Sequence, residues 1–436
     1  MGSRTLMVRK GIILFLVAIL FSGCLHEKPS DKTVYGLEDQ IVYLGGLNSS
    51  VSSVTENGMY EIRYWPLSMY ENEAPGIVYA NILYTDITTR QKVYLCNVPG
   101  CTHNNERCTS YISCSRFCRL FTNKKKDKLY VLSGGVLGAI GGELSTENDY
   151  GQIWEMDLDG SNRSLLIKLG ANQYFHPDDY FFSSNDALYI TICTTDKTTS
   201  ETYKELVRID LDNRESTTVI RLEINDVLLR IPDKNTLVVS SFSEYGDNSG
   251  SYKTTYHSID LQTQKRTLLL DPLISEKVEI YDDYLVSLRK TAQKSVEMIA
   301  KNYLTNEEYK FTFFDIPTSS YRVGCWYDNH FLFRYKEETG DDCGFYVNLK
   351  TGEKVTDVIS YSYAGYNKLG SIICAFKDVY LITALQEEQT WIINDKEGIP
   401  YEIKDEKGNK MAVIKKEDFW KGVSSYEWIE DKTIYS

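Results

Sequence analysis

Residues 151–169, GQIWEMDLDGSNRSLLIKL, read as a strand to Asp157, a tight turn through Asp159, Gly160 and Ser161, and a return strand. Alternating large residues on both sides of an Asp/Gly/Ser turn are the pattern of a β-hairpin. The phrase recurs around Asp86 (ILYTDITTRQKVYL), Asp210 (VRIDLDNRESTTVI), Asp260 (HSIDLQTQKRTLLL) and Asp315 (TFFDIPTSSYRV). Worn copies follow around Asn348 (YVNLKTGEKV) and Asn394 (WIINDKEGIPYEI). A second phrase precedes each copy: Asp or Asn, then a short apolar strand. It begins at Asn57, Asp127, Asp186, Asn235, Asp283, Asn329 and Asp378. Asp and Asn in these positions favour a tight turn entering the strand.

Pairing one phrase with one hairpin gives seven units. A less distinct stretch ahead of each entering turn, such as 180–182 or 372–376, supplies a fourth strand. Seven sets of four antiparallel strands point to an all-β fold, a β-propeller of seven blades, with six or eight also compatible. A pair of β-sandwiches is the competing architecture. Residues 153–161 resemble the I-Y-x-x-D-x-D-G-S-x hairpin of TolB-like and low-density-lipoprotein-receptor-like propellers. That resemblance implies a propeller over 34–436. Ring closure is expected to pair a strand near 34–44 with the C-terminal chain, because an open ring exposes edge strands. Residues 415–422, KKEDFWKG, suit one turn of helix.

The N-terminus reads differently. Arg4, Arg9 and Lys10 precede the apolar run 11–21 and then Ser22-Gly23-Cys24. The run is shorter than the roughly 20 residues that span a bilayer, and suits a signal-peptide core. The ending LFSGC resembles the bacterial lipobox, with Phe21 where Leu is usual. It implies a signal peptide over 1–23, lipidation of Cys24 and a polar tether over 24–33. An ordinary signal peptide or an uncleaved anchor is the alternative. The expectation is an extracytoplasmic protein held to the cell membrane by lipid. A formal net charge of −13 argues against a polyanionic partner, nucleic acid included.

The first two hairpins are spread apart by an insert, 96–118, CNVPGCTHNNERCTSYISCSRFC. Three thiolates and an imidazole can enclose Zn²⁺ tetrahedrally, with Cys96, Cys101, His103 and Cys108 as ligands. Pro99-Gly100 would turn Cys101 back towards Cys96. Disulfides are the equal alternative in an oxidising compartment. Either way the insert is a staple for a polar loop. The segment also resembles the L-C-x-x-P-x-C-x-H-x4-C stretch of uncharacterised surface lipoproteins of Gram-positive bacteria with propeller-like repeats, which implies no established activity.

Other motifs are weaker. The Asp157–Asn162 turn lacks the Gly and Glu placement of a calcium loop. The glycine-rich run 134–142 lacks the Gly-Lys-Ser/Thr of a phosphate loop, and no GxSxG elbow occurs. His176, His257 and His330 are scattered, and Asp178-Asp179, Asp282-Asp283 and Asp341-Asp342 read as solvated turns.

Turns between third and fourth strands are short, whereas second-to-third loops are long: 65–76, 134–150, 194–202, 243–253 and roughly 290–310. They carry Trp65, Tyr70, Tyr150, Tyr245 and Tyr252 among hydroxyls and amides, which suits a sugar or a polar peptide. The insert should open on the same face. The expected function is binding or scaffolding at the cell surface, with a glycan or protein ligand. The rival is a propeller enzyme, a lyase or hydrolase acting on envelope or extracellular glycan.

Overall fold

Among the described residues, the third-to-fourth-strand turns that begin at Asp86, Asp210, Asp260, Asn302 and Asn348 share one local geometry, and the one at Asp157 differs. An oxygen of the Asp210 side chain accepts from the N–H groups of Asp212 and Asn213, each at 3.0 Å. Asn302 does the same for Leu304 and Thr305, each at 2.9 Å. Asp86 and Asn348 also bond the second and third residues on, and Asp260 the third. Four residues after the anchor the chain crosses the left-handed region: Arg90, Arg214, Gln264, Asn306 and Gly352 have φ between 55 and 72°. The side chain thus replaces backbone partners that the turn leaves open. The next N–H, of Ile87, Leu211, Leu261, Tyr303 or Leu349, donates to the carbonyl of Asn57, Asp186, Asn235, Asp283 or Asn329 respectively, at 2.7–3.0 Å. The two recurring phrases of the sequence are therefore neighbours in space.

These turns build a seven-bladed β-propeller of four-stranded antiparallel blades. The computed structural model divides the chain into Met1–Tyr35 and Gly36–Ser436. It describes most of residues 37–433; residues 1–36, 38–40, 47–51, 66–76, 116–117, 134–150, 245–251, 317–320, 337–341, 395–397, 434–436 and several shorter stretches lie outside the description. Cys24, the expected leader and tether and the glycine-rich run are thus outside the described residues.

The strand β1 (Val42–Gly46) precedes blade 1, which comprises β2 (Ser52–Val54), β3 (Gly58–Tyr64), β4 (Ile77–Asp86) and β5 (Gln91–Tyr94), with β6 (Tyr111–Ser115) on the same edge as β5. Blade 2 runs from Cys118–Thr122 to Ser164–Lys168, blade 3 from Tyr180–Ser183 to Ser216–Leu222, and blade 4 from Asp226–Asp233 to Arg266–Leu270. Blade 5 runs from Lys277–Tyr281 to Glu308–Phe314, blade 6 from Tyr321–Tyr327 to Lys354–Val355, and blade 7 from Ser371–Ala375 to Glu427–Trp428. The apolar core lies in the seams between blades. Phe121 of blade 2 stacks on Phe181 of blade 3 at 5.9 Å, and Phe313 of blade 5 meets Phe333 of blade 6 at 5.7 Å. Second strands buried on both faces read as continuous apolar runs, as in Ala187–Thr195 of blade 3.

All seven entering turns fall between first and second strands, as expected. Two hairpin anchors do not fit. Asp315 lies in the link between blades 5 and 6, and the true turn of blade 5 starts at Asn302. Asn394 ends the second strand of blade 7, Val379–Asn394, which pairs with Pro400–Lys415 as a long hairpin. The expected long loop over 290–310 is instead strand Ser295–Asn302, entered by a tight turn from Tyr284–Ala292. Helix α1 (Lys416–Trp420) occupies the expected helical turn, seating Phe419 against Tyr346 and Tyr380.

Ring closure also differs. β1 pairs with Tyr180–Ser183, the inner strand of blade 3, and touches the inner strands of blades 2 and 4. Tyr43 meets Tyr180 edge-on at 5.2 Å, with the Arg230 guanidinium 4.3 Å from the Tyr43 ring. The ring is closed by Glu430–Asp431, which pairs in parallel with β5 immediately after Glu427–Trp428 completes blade 7. The outermost strand of blade 1 offered a free edge, and the last described strand covers it.

Candidate metal centre

The insert leaves blade 1 halfway along an edge. β5 pairs with Leu83–Asp86 of β4, and β6 returns to pair with Ile77–Asn81. The Leu95 N–H donates to the Ile82 carbonyl at 2.9 Å, and the Ile82 N–H donates to that of Ser110 at 2.7 Å, so both ends of the loop are clamped. Between them Gly100, at φ +70°, makes the expected bend, with the Cys101 N–H donating to the Val98 carbonyl at 3.2 Å. His103 is itself left-handed, at φ +57°.

Cys96, Cys101, His103 and Cys108 come together, their donor atoms all within 4.8 Å of one another. His103 Nδ1 lies 3.2 Å from Cys108 Sγ, and the His103 N–H donates to Cys101 Sγ at 3.4 Å. Zinc bonds of about 2.3 Å to sulfur and about 2.0 Å to nitrogen place tetrahedral donors roughly 3.5–3.8 Å apart, so the set fits a closed Cys₃His site. Burial lowers the His103 pKa, which favours the neutral imidazole that a metal needs. Burial pushes the Cys108 thiol up to about 11, and a bound cation would favour its thiolate. At Cys96 burial also raises the pKa, but hydrogen bonds from the Val98 backbone and from Cys108 and Cys101 outweigh it and bring it below the usual range.

The surrounding packing explains why the loop folds this way. Asn81, almost fully buried, donates to the His103 carbonyl at 2.9 Å and to Ser110 Oγ at 3.1 Å, and accepts from Trp65 Nε1 at 2.7 Å. Trp65, Tyr79 and Tyr111 pack beside Cys108, with Cys96, Cys101, Trp391 and Ile403 against them. From blade 2 the Arg163 guanidinium donates to the Tyr111 carbonyl at 2.6 Å and to that of Thr109. Gly160, at φ +81°, comes so close that a Cβ there would stand 2.6 Å from the Thr109 carbonyl. The insert therefore bears on blades 7, 1 and 2 together. The remaining cysteines of the insert, Cys114 and Cys118, are buried in the apolar seam between blades 1 and 2, and burial pushes the Cys118 thiol well up.

Of the five aromatic residues expected to line a ligand site, only Trp65 has a described side chain. Trp65 is 4% exposed and is a core side chain beneath the Cys/His set. An aromatic residue at a loop boundary reads as exposed, but Tyr79 and Tyr111 close over it. Tyr70, Tyr150 and Tyr245 lie outside the described residues, and of Tyr252 only the backbone is described, paired with Glu244. Trp65 and the cluster share the end of blade 1 from which its second-to-third loop departs, and Trp391 brings in the corresponding end of blade 7. The Asp157–Asn162 segment is a plain turn, with Asn162 donating to Asp157 at 2.6 Å. Asp179 departs from its reading as a solvated turn: it is buried and paired with Lys204 at 2.7 Å. Asn81, Arg163 and Trp391 escaped the sequence reading, since no local pattern ties them to the insert.

No family model matches the chain, and no curated protein matches it. Among solved structures the chain is similar to the β-propeller domain of the Trilobed protease from Pyrococcus furiosus, at 10% identity and a TM-score of 0.45, covering 91% of this chain and 97% of that one. It is also similar to an acylaminoacyl peptidase at 9% identity and a TM-score of 0.46, covering 89% of this chain but 52% of that one. TolB from Acinetobacter baumannii matches at 10% identity and a TM-score of 0.33, covering 86% of this chain and 83% of that one.

Proposed function

We propose that the chain is a lipid-anchored, extracytoplasmic propeller that serves as a binding or scaffolding module, with one structural zinc held by Cys96, Cys101, His103 and Cys108. The observation that carries this reading is the convergence of those four donors. A tetrahedral site with protein at every corner keeps no position for water or substrate, so its metal holds shape. Here that shape is the junction of the insert with blades 7, 1 and 2. The anchor rests on the basic n-region, the short apolar core and Ser22-Gly23-Cys24. Its ligand is a polar surface molecule, and the acidic balance of the chain disfavours nucleic acid.

Metal analysis of the purified full chain should find about one zinc per molecule, lost in His103→Ala. Intact-mass analysis showing Cys96, Cys101 and Cys108 all in disulfides would remove the metal. The Cys24→Ala protein should leave the membrane fraction or change its processing. Wild-type cleavage and retention of that variant would remove the anchor.

A further inference from the structure

Blades 7 and 1 line a half-open cleft of about 430 Å³, with Trp391 common to the cleft and to the packing of the insert. That size lies within the range of small-ligand pockets. Its polar lining includes Glu61, Arg63 and Lys92 from blade 1, and Gln389, Trp391 and Asn409 from the long hairpin of blade 7. The charges are matched. Lys92 pairs with Glu61 and lies 3.7 Å from Asp431, while Arg63 lies 3.5 Å from Asp431 and donates to Thr433 Oγ1 at 2.6 Å. The Arg63 guanidinium sits 4.9 Å from the centre of the Trp391 ring. Trp391 Nε1 is buried and has no acceptor among the described residues. A buried donor left without a partner is costly, so the group calls for an acceptor that the protein does not supply.

We infer that this cleft is the ligand site of the binding module and that it takes one or two rings of a neutral saccharide. The inference rests on the binding reading above. Glu61 of the lining and Asp431 behind it are both paired with the two bases, so the cleft presents no free charge with which to draw in an ion. Adjacent donors and acceptors instead match hydroxyl groups, each of which both gives and takes a hydrogen bond. The side-chain amides of Gln389 and Asn409 have the same dual capacity, and Trp391 adds an aromatic residue to the lining. Met59 and Met411 supply apolar wall for C–H faces. A peptide added as a strand needs a free sheet edge. On blade 1 that edge is taken, with β5 and β6 on β4 and Glu430–Asp431 on β5.

The test titrates the detergent-solubilised full chain by calorimetry with maltotriose, cellotriose and chitotriose, and with trigalacturonate and trialanine as comparators. At least one neutral trisaccharide should bind with a Kd below about 1 mM. Gln389→Ala, which removes one lining amide, should weaken it by about tenfold, the loss of one hydrogen bond. Asn409→Ala, on an exposed residue, should do the same with unchanged melting and zinc content. A neutral sugar bound equally by both variants would overturn the site and leave the binding module standing. Preference for trigalacturonate or trialanine over every neutral sugar would overturn the ligand class alone. No binding of any probe by the wild-type chain would overturn both the inference and the binding reading on which it rests.

Discussion

The seam between blades 3 and 4 and the seam joining blades 7, 1 and 2 both bury polar groups, but they leave them in different states. In the first, Lys204 and Asp179 are essentially unexposed and 2.7 Å apart. Asp179 also accepts from the Thr191 hydroxyl and from the Leu228 N–H, the latter at 2.9 Å, and Lys204 donates to the Asp226 carbonyl. Asp226 in turn takes both nitrogens of the Arg266 fork, at 3.0 and 2.8 Å, and the Ser241 hydroxyl at 2.7 Å. The donors and acceptors are used up on one another, and such a network specifies structure. In the second seam four soft donors face a common point, and one indole N–H lacks an acceptor. Unused capacity of that kind marks a place built for something the chain does not contain.

The sharpest way to break the comparison is Lys204→Ala. It leaves the Asp179 charge buried without its cation and should cost about 3–5 kcal/mol in denaturant unfolding. The double variant Asp179→Asn with Lys204→Met should recover much of that loss. If Lys204→Ala unfolds like wild type, the seam is wetter and weaker than its geometry implies.

Metal removal should act on the other seam alone. After chelation, amide exchange should rise in 77–81, 108–115 and 391–403 and stay protected in 187–195 and 204–210. Exchange rising equally in both regions would show one cooperative unit in place of two. Arg163→Ala removes a cationic donor from two backbone carbonyls and should cost about 1.5–3 kcal/mol while speeding zinc release to a chelator. Zinc release at the wild-type rate would mean that blade 2 does not support the insert.

The smallest effect concerns the hairpin turns. Hydrogen bonds from the Thr263 backbone and hydroxyl hold the Asp260 carboxyl below its ordinary pKa. A carboxylate of this kind contributes stability above its unfolded pKa, and that contribution is lost as pH falls through the depressed folded value. Thermal melting from pH 6 down to pH 3 should therefore fall less steeply in Asp260→Asn than in wild type. An identical pH profile would show that the carboxylate charge is immaterial to the turn.

How much could be read from residues alone differs from element to element. The turns at Asp86, Asp210, Asp260 and Asn348 were legible because anchor, acceptor and left-handed residue all fall within six positions. Asn302 was missed, although its turn is the same, because NYLTNEEY, residues 302–309, has no Gly and opens on Asn in place of Asp. Asp315 and Asn394 misled for the opposite reason: the phrase occurs, but nothing local says which pair of strands it joins. The metal ligands were legible because four donors lie within thirteen consecutive residues. The burial of Trp65 was not, since whether it faces solvent depends on Tyr79, Tyr111 and Trp391, and Trp391 comes from the far end of the chain.

The sequence by itself determined the sevenfold repeat, the turn chemistry that sets entering and returning strands side by side, and the composition of the Cys/His set. Each of these depends on hydrogen bonds or ligand bonds between near neighbours, where loop closure costs little and residue type decides the outcome. Only the tertiary structure decided that β1 lies against blade 3, that Glu430–Asp431 closes the ring on blade 1, and that Asp179 is a buried ion and not a solvated turn. It alone brought Glu61, Arg63 and Lys92 to face Gln389, Trp391 and Asn409. A strand edge accepts any extended backbone that reaches it, and a side chain is buried by whatever arrives from elsewhere in the chain, so neither outcome is written in the residues concerned.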